Sequence, residues 1–473
     1  MSRFPQLESW RVDKPAVHGA RGVVCAQHYQ AAEVGAEVLR TGGNAIDAAV
    51  ATSFALGAVE PWMSGLGGGG YLLFHERATN TTHRVHFGMV APLGLQQSHY
   101  PLVKGTDSDL FAWPRVVDDN NVKGPLSIAV PGQVAGMSLA LKTFGTRGWR
   151  ESIEPAIELA RQGMDVDWYA TLKIAGNAPD LTEYEETSRV YLPGGFPPAA
   201  DWASPLPRIT LGNLASTLET LATGGPDAFY QGEIGASLIE DVAALGGVLS
   251  MDDLRAYSAS LDVVEPIAYR DAAVYTAPVL TAGPTLAHAL SLLETSQSAD
   301  TPLGAEAYGC LTDALVQAYE HRLTSLGDVD DSVAPSSTTH LSVVDAEGNL
   351  VALTQTLLSV FGSRVMLPGT GLLMNNGIMW FDPRPGHPNS MAAGKKPLSN
   401  MCPTVVRRSD DCWFALGASG GRRIMPAVFQ LISFLVDHQM SLHEAAHTAR
   451  IDYSGADLVT VNNRLGEDVI DHL

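Results

Sequence analysis

The sequence predicts an α+β fold in which helices pack on antiparallel sheets. Long helical runs stopped by glycine recur through the first two thirds of the chain. Late in the chain, two strand-like runs pair across a short turn. No internal repeat, coiled-coil heptad or low-complexity tract points to another architecture. The 473 residues, rich in Ala, Gly, Leu and Val, suffice for a large buried core, as one big domain or two halves.

The elements follow in order. Residues 29–41 read as a helix ended by Gly42-Gly43. Asn44 then caps a second helix running to Val59, with Asp47 in the first turn where the helix dipole favours a negative charge. That helix carries alanine on nearly every face, which implies close packing all round. The glycine run Gly67–Gly70 leads into an apolar strand, Tyr71 to Phe74. Further helices are expected at 152–162, 213–223, 232–245, 285–294, 305–322 and 425–437, with Pro/Gly-rich loops between them, notably 178–210. The hairpin joins Thr338–Val344 to Leu350–Leu358 across the turn 345–349. Alternation places Thr354 and Thr356 on one face of its second strand.

Bulk properties exclude several classes. A net charge of −21 argues against nucleic acid or an anionic membrane as partner. The start of the chain lacks the apolar core of a signal peptide, and no run of about 20 apolar residues offers a membrane span, so the expectation is a cytoplasmic protein. The cysteines Cys25, Cys310, Cys402 and Cys412 are scattered and read as buried free thiols. Gly67–Gly70 lacks the GK[ST] ending of a phosphate loop and precedes a strand, so its glycines are assigned to tight turns and close packing. The fourteen histidines are read as lacking an HExxH string or any paired metal-ligand spacing, so no metal site is expected, and no cofactor is implied. His340, beside the threonines, is read first as a structural strand residue.

Thr338 is an ordinary strand residue or a nucleophile. A threonine hydroxyl needs a base, and in the N-terminal nucleophile design the base is the residue's own α-amino group, with a pKa near 8. An internal Thr338 has no such amine until the Ser337–Thr338 bond is cut. The plausible route is attack by its hydroxyl on the Ser337 carbonyl, giving an ester that water hydrolyses.

Six ordered segments carry a resemblance: Thr41–Ala51, Leu66–Tyr71, Asp227–Glu233 running on to Leu254 and Tyr257, Thr338–Asp345, Pro397–Thr404 and Gly417–Arg422. In this order the chain resembles the γ-glutamyltransferase family of self-processing threonine hydrolases, from about residue 20 to 455. The resemblance implies a four-layer αββα sandwich, split after cleavage into a large subunit, 1–337, and a small catalytic subunit, 338–473, which stay associated. It implies Thr338 as nucleophile and Thr356 as the hydroxyl that supports it. Gly420 and Gly421 become the oxyanion donors, a role worth several kcal/mol in such sites. Ser399 matches one of two serines that hold the substrate's α-carboxylate. The implied substrate is a small γ-glutamyl-type amide such as glutathione.

The departures gather where acyl specificity is set. The family's carboxylate-binding arginine falls near Gln97, and the second serine is Asn400. The three polar residues around the α-amino group align with Leu358, Gly377 and Trp380, none of which can satisfy a buried ammonium. Arg364 and Arg384 are the candidates to bind a carboxylate from new directions. The stretch from Asn389 to Ser399 is short, so the site is expected to lack the lid loop of many relatives. The chain ends at Leu473, before the strand pair the family usually carries, which is expected to expose a sheet edge. Two rivals to the γ-glutamyl reading therefore stand: an amidase for another small acid amide or a cephalosporin-type acyl amide, and an unprocessed binding protein.

Overall fold

The computed structural model describes residues 13–106, 113–201, 203–298, 301–323, 338–409, 412–455 and 458–473. Two antiparallel sheets dominate. The first has six strands in the order β1-β7-β8-β2-β3-β4. These are β1 (Gly22–Cys25), β2 (Gly69–Glu76), β3 (Thr81–Phe87), β4 (Ser260–Val263), β7 (Thr339–Asp345) and β8 (Leu350–Thr356). The second has four, in the order β10-β9-β6-β5, with β5 (Ile267–Tyr269), β6 (Ala272–Thr276), β9 (Thr404–Ser409) and β10 (Cys412–Leu416).

Alternation along the hairpin decides what each sheet face meets. Leu341 and Val343 of β7, with Val351 and Leu353 of β8, join Leu72 and Phe74 in a core built against the helices α1 (Tyr29–Arg40), α2 (Ala45–Val59) and α3 (Gln133–Phe144). The opposite face supplies Leu73 and Ala352. They pack on Tyr275, Val405, Ala273, Trp413 and Ala415 of the second sheet. The far face of that sheet, with Tyr269, Val274, Val406 and Leu416, meets the helices α4 (Gly283–Ser296), α5 (Ala305–His321) and α6 (Ile424–Val436). No helix among the described residues is long and apolar enough to cross a membrane.

Helix α2 forms as its sequence predicts. Asn44 Oδ1 accepts the Asp47 N–H at 3.0 Å, and the Asp47 carboxylate accepts the Asn44 N–H at 2.9 Å, a reciprocal cap. Of its fifteen residues only Gly57 keeps appreciable exposure. Its N-terminus is also tied to the hairpin turn, where Asp345 Oδ2 accepts the Ala45 N–H at 3.0 Å.

The glycine run is dictated by close approach. β2 pairs with β8 in a register that sets Gly69 against Thr356 and Gly70 against Gln355. A methyl group at Gly68 would collide with the carbonyl of Thr356, and one at Gly70 with the carbonyl of Thr354.

Several expectations change. The stretch 178–210 is not simply loop: the helix Trp168–Leu181 runs into it and Glu185–Tyr191 forms another. The helix begun at 213 extends to Tyr230, broken at Gly225, whose φ of 68° only glycine adopts readily. Cys25 is exposed and Cys310 half-buried, so burial holds for Cys402 and not for these two; all three are free. β1 is an edge strand at the surface, which is why Cys25 escapes the core.

Gly70→Ala should destabilise the fold by about 1–3 kcal/mol or more, because the carbonyl it meets is backbone and cannot swing aside. Gly176→Ala, in an open position of the helix Trp168–Leu181, should stabilise by about 0.5–1 kcal/mol. Urea unfolding midpoints of the two variants check both signs.

Candidate active site

Thr338 sits at the head of β7, buried at 3% exposure. Its hydroxyl lies 3.5 Å from that of Thr356, at the end of β8, and Thr356 Oγ1 accepts the Leu358 N–H at 2.8 Å. The hairpin register brings the two threonines to one end of the sheet, since Thr339 pairs with Gln355. Ser337, the other half of the expected cleavage site, lies outside the described residues.

His340, two residues along β7, faces the second sheet. Its Nδ1 is 2.9 Å from Thr354 Oγ1 and its Nε2 3.0 Å from Ser342 Oγ. Gly417 passes so close over the imidazole that any Cβ there would collide with the ring. Enclosed in this way, His340 has its pKa pushed down by burial to about 3 and is neutral at physiological pH. The structural reading of His340 therefore acquires a place: it seats the backbone that leads to Gly420 and Gly421.

Those glycines turn the chain into α6. Gly420 has φ 136° and Gly421 φ 58°, both positive, so a side chain at either would be strained. Among the described residues no hydrogen-bond acceptor takes either N–H. Both stand beside the N-terminal end of α6, where the helix dipole favours negative charge. Arg422 lies over the Trp113 ring at 6.0 Å, and the Trp113 indole N–H donates to the Met379 carbonyl at 2.8 Å. Arg422 thereby ties this turn to the segment carrying Trp380.

Leu358, Trp380 and Met401 belong to one buried apolar cluster with Tyr71, Met89, Ile378 and Met379. Gly377 is buried beside Met89. The Trp380 indole N–H is enclosed with no hydrogen-bond acceptor among the described residues. It can donate but cannot accept from an ammonium.

Ser399 and Asn400 are held from behind by Arg322, one residue past α5. Its Nη2 donates to the Ser399 carbonyl at 3.0 Å and to Asn400 Oδ1 at 2.8 Å; its Nη1 donates to the Thr281 carbonyl and Thr285 Oγ1, each at 3.1 Å. Arg322 is 4% exposed, and among the described residues no carboxylate pairs with it. Burial draws its pKa down to about 10, so it stays charged at neutral pH. A guanidinium only donates, so Asn400 must offer it the amide oxygen and turn its NH2 the other way. Tyr319, one turn earlier, donates its hydroxyl to the Arg422 carbonyl. The end of α5 thus grips both the Ser399–Asn400 segment and the glycine turn.

The remaining candidates are engaged elsewhere. Gln97 is exposed and donates its amide to the Pro383 carbonyl at 2.7 Å. Arg384 is bound to Asp382 at 3.1 Å. Arg364 donates to the Gly362 carbonyl at 2.6 Å and lies 3.4 Å from Asp180. The short stretch after Asn389 folds back on the Trp380 segment, with Asn389 donating to the Trp380 carbonyl at 2.6 Å and accepting the Leu398 N–H at 3.0 Å.

Sequence reasoning missed Arg322 and Trp113, which stand in no motif; only tertiary contact reveals them. It also passed over a legible signal. His443-Glu444-Ala445-Ala446-His447 is an HExxH string, and the structure gathers His443, His447 and Asp13 with one potential ligand atom each within 4.8 Å of the others. The expectation that no histidines group with metal-ligand spacing is corrected at this point.

Comparison with known proteins places the chain in a family. The chain matches the profile described as Gamma-glutamyltranspeptidase over residues 31–337 and 331–473. It is 33% identical to the Acylase ACY 1 proenzyme of Pseudomonas sp. strain SE83, covering 94% of this chain and 85% of that one. It is 31% identical to the Glutathione hydrolase proenzyme of Escherichia coli K12, covering 94% and 83%. Among solved structures, a cephalosporin acylase from Bacillus halodurans superposes with a TM-score of 0.83 at 22% identity, over 100% of this chain and 91% of that one, a likeness of fold. The γ-glutamyltranspeptidase of Helicobacter pylori gives 0.57 at 29% identity, over 68% and 88%. The class so defined is that of hydrolases and transferases acting on amide bonds. Within it, the chain belongs to the γ-glutamyltranspeptidase family.

Arg322→Met should cut kcat/KM at least about tenfold by freeing the Asn400 amide. Stability should stay within about 2 kcal/mol, since relief of a buried charge offsets the lost hydrogen bonds. Steady-state kinetics beside urea unfolding checks the split. A second expectation concerns pH. Burial pushes His340 and His86 down to about 3 and His75 to about 4, from an ordinary 6.5. The unfolded chain therefore binds protons that the folded chain refuses, so their contribution is complete above pH 6.5 and is lost as pH falls toward 4. Glu60, raised by burial to about 7, works the opposite way, its share lost as pH rises through 7. His340→Gln should show a shallower fall in unfolding midpoint from pH 6.5 to 4 than the unaltered chain.

Proposed function

We propose that this chain is a self-processing threonine amidohydrolase or acyltransferase whose preferred acyl group is not γ-glutamyl. The fold proposed with it is the four-layer αββα sandwich, two helical layers enclosing two facing sheets. The Thr338 hydroxyl attacks the Ser337 carbonyl, the peptide shifts to an ester, and water hydrolyses it. The chain becomes 1–337 and 338–473, and Thr338 acquires a free α-amine.

In the cut enzyme that amine takes the hydroxyl proton as Oγ1 attacks the substrate amide carbonyl. The Gly420 and Gly421 N–H groups receive the oxyanion, positive φ holding them in the turn and the end of α6 adding its dipole. The proton passes to the leaving amine, and the acyl group stays on Thr338 until water or a second amine removes it. Thr356, whose lone pair already accepts the Leu358 N–H, keeps the nucleophile's neighbourhood ordered.

The observation that carries the specificity is the apolar cluster of Leu358, Trp380, Met379 and Met401, where an α-ammonium would need acceptors. The Asn400 NH2, turned away from Arg322, and the Trp380 N–H, without an acceptor among the described residues, are donors suited to a carboxylate or carbonyl on the acyl chain. The name of the Pseudomonas relative, an acylase, supports this reading. The second reading, hydrolysis of γ-glutamyl amides such as glutathione, is favoured by the similarity to the Escherichia coli enzyme.

On a denaturing gel the purified protein should resolve into chains 1–337 and 338–473, and Thr338→Ala should remain one chain with no turnover. A full-length band that persists in the unaltered protein after long incubation would remove the catalytic reading. In a panel of anilides, a glutaryl or other small-acid group should be turned over at least about tenfold faster than γ-glutamyl, one missing buried contact being worth about 1–3 kcal/mol. The reverse preference would restore the γ-glutamyl assignment.

A further inference from the structure

The HExxH string occupies α7 (Leu442–His447), far from the threonines in sequence. In a metallopeptidase the two histidines bind zinc and the glutamate is the general base. Here Glu444 is committed otherwise. Its carboxylate accepts both the N–H and the hydroxyl of Ser441 at 2.8 Å, and Ser441 caps the Glu444 N–H in return. The glutamate is half of a capping box, turned back along the helix.

The histidines take no part in that cap. Spaced four apart they lie on one helix face, with ring centroids 4.4 Å apart. His447 Nδ1 is 2.8 Å from the His443 carbonyl. A carbonyl only accepts, so Nδ1 carries the proton and the lone pair of neutral His447 is on Nε2. A ring N–H donated to a backbone carbonyl is the usual outer contact of a metal-binding histidine. That lone pair faces Asp13 Oδ1 at 3.2 Å. Two acceptors so close require a proton or a cation between them. The separation is also about the edge of a tetrahedron with zinc bonds near 2.0 Å. The Lys14 N–H reaches Nε2 at 3.3 Å, a long bond that an ion would displace.

We infer that Asp13, His443 and His447 bind a divalent cation of zinc type. The imidazole and carboxylate donors suit zinc, with water in the fourth position and no general base beside it. The three ligands come from opposite ends of the chain. Resting on the cleavage reading above, Asp13 would belong to 1–337 and both histidines to 338–473, and the ion would clamp one to the other.

The test is a Co2+ titration, followed by visible absorption, of full-length protein without a polyhistidine tag, with Zn2+ competition. One equivalent should bind with four-coordinate d–d bands. His443→Ala and His447→Ala should each abolish the signal, and Asp13→Asn should weaken binding at least about tenfold. Glu444→Gln, which keeps the cap, should bind normally. Thr338→Ala should bind as well as the unaltered chain, so a failure of cleavage does not disguise a failure of the site. In cleaved protein, chelation should lower the melting temperature. Absence of stoichiometric binding, or an affinity indifferent to Asp13→Asn, overturns the proposal and leaves an ordinary surface histidine pair with an imidazolium–carboxylate contact.

Discussion

The site depends on how closely β2 lies against β8. Gly68 and Gly70 let the two backbones meet where a side chain would strike a carbonyl. That contact fixes the register in which Thr356 ends its strand opposite Gly69. A slip of one residue would turn Thr354 and Thr356 toward the helices and bring Gln355 into the inter-sheet space. Gln355 belongs on the helix side, where its amide meets Ser53 and Gln133 of the packed helices. Polar partners on one face and threonines on the other make the register unique.

The same sheet entangles the two parts of the chain. β7 and β8 lie between β1 and β2, and β9 and β10 extend a sheet begun by β5 and β6. Residues after 338 are therefore hydrogen-bonded to earlier strands in both sheets, and Asp345 caps α2 across the same divide. A cut between 337 and 338 would leave the halves joined by strand ladders and a shared core, without any new interface. Arg322 adds a polar tie of the same kind, reaching from the end of α5 to Ser399 and Asn400.

On the proposed reading, bond-breaking and recognition are separable in this architecture. The parts suited to chemistry sit at strand ends and in a glycine turn, where backbone geometry governs. The parts suited to recognition line a cluster of side chains that exchanges polar groups for apolar ones without disturbing either sheet. Leu358 joins the two regions: its N–H serves Thr356, while its side chain lies in the apolar cluster with Trp380.

By itself the sequence determined the helices with clear stops and caps, the hairpin and its alternation, the packing role of the glycine run, and the threonine on which the family resemblance turns. Each is a local signal, written in spacing or in one residue's conformational limits. It also held the HExxH string, whose meaning could not be read locally because the same glutamate serves a helix cap. Only the tertiary structure decided that Gln97 and Arg384 are spent on neighbours, that Arg322 orients Asn400, that Gly417 rests on His340 and that Asp13 meets two histidines from the far end of the chain. Apart from the local Arg384–Asp382 pair, those are contacts between residues tens to hundreds of positions apart, and no periodicity records which distant side chain a folded backbone will bring alongside.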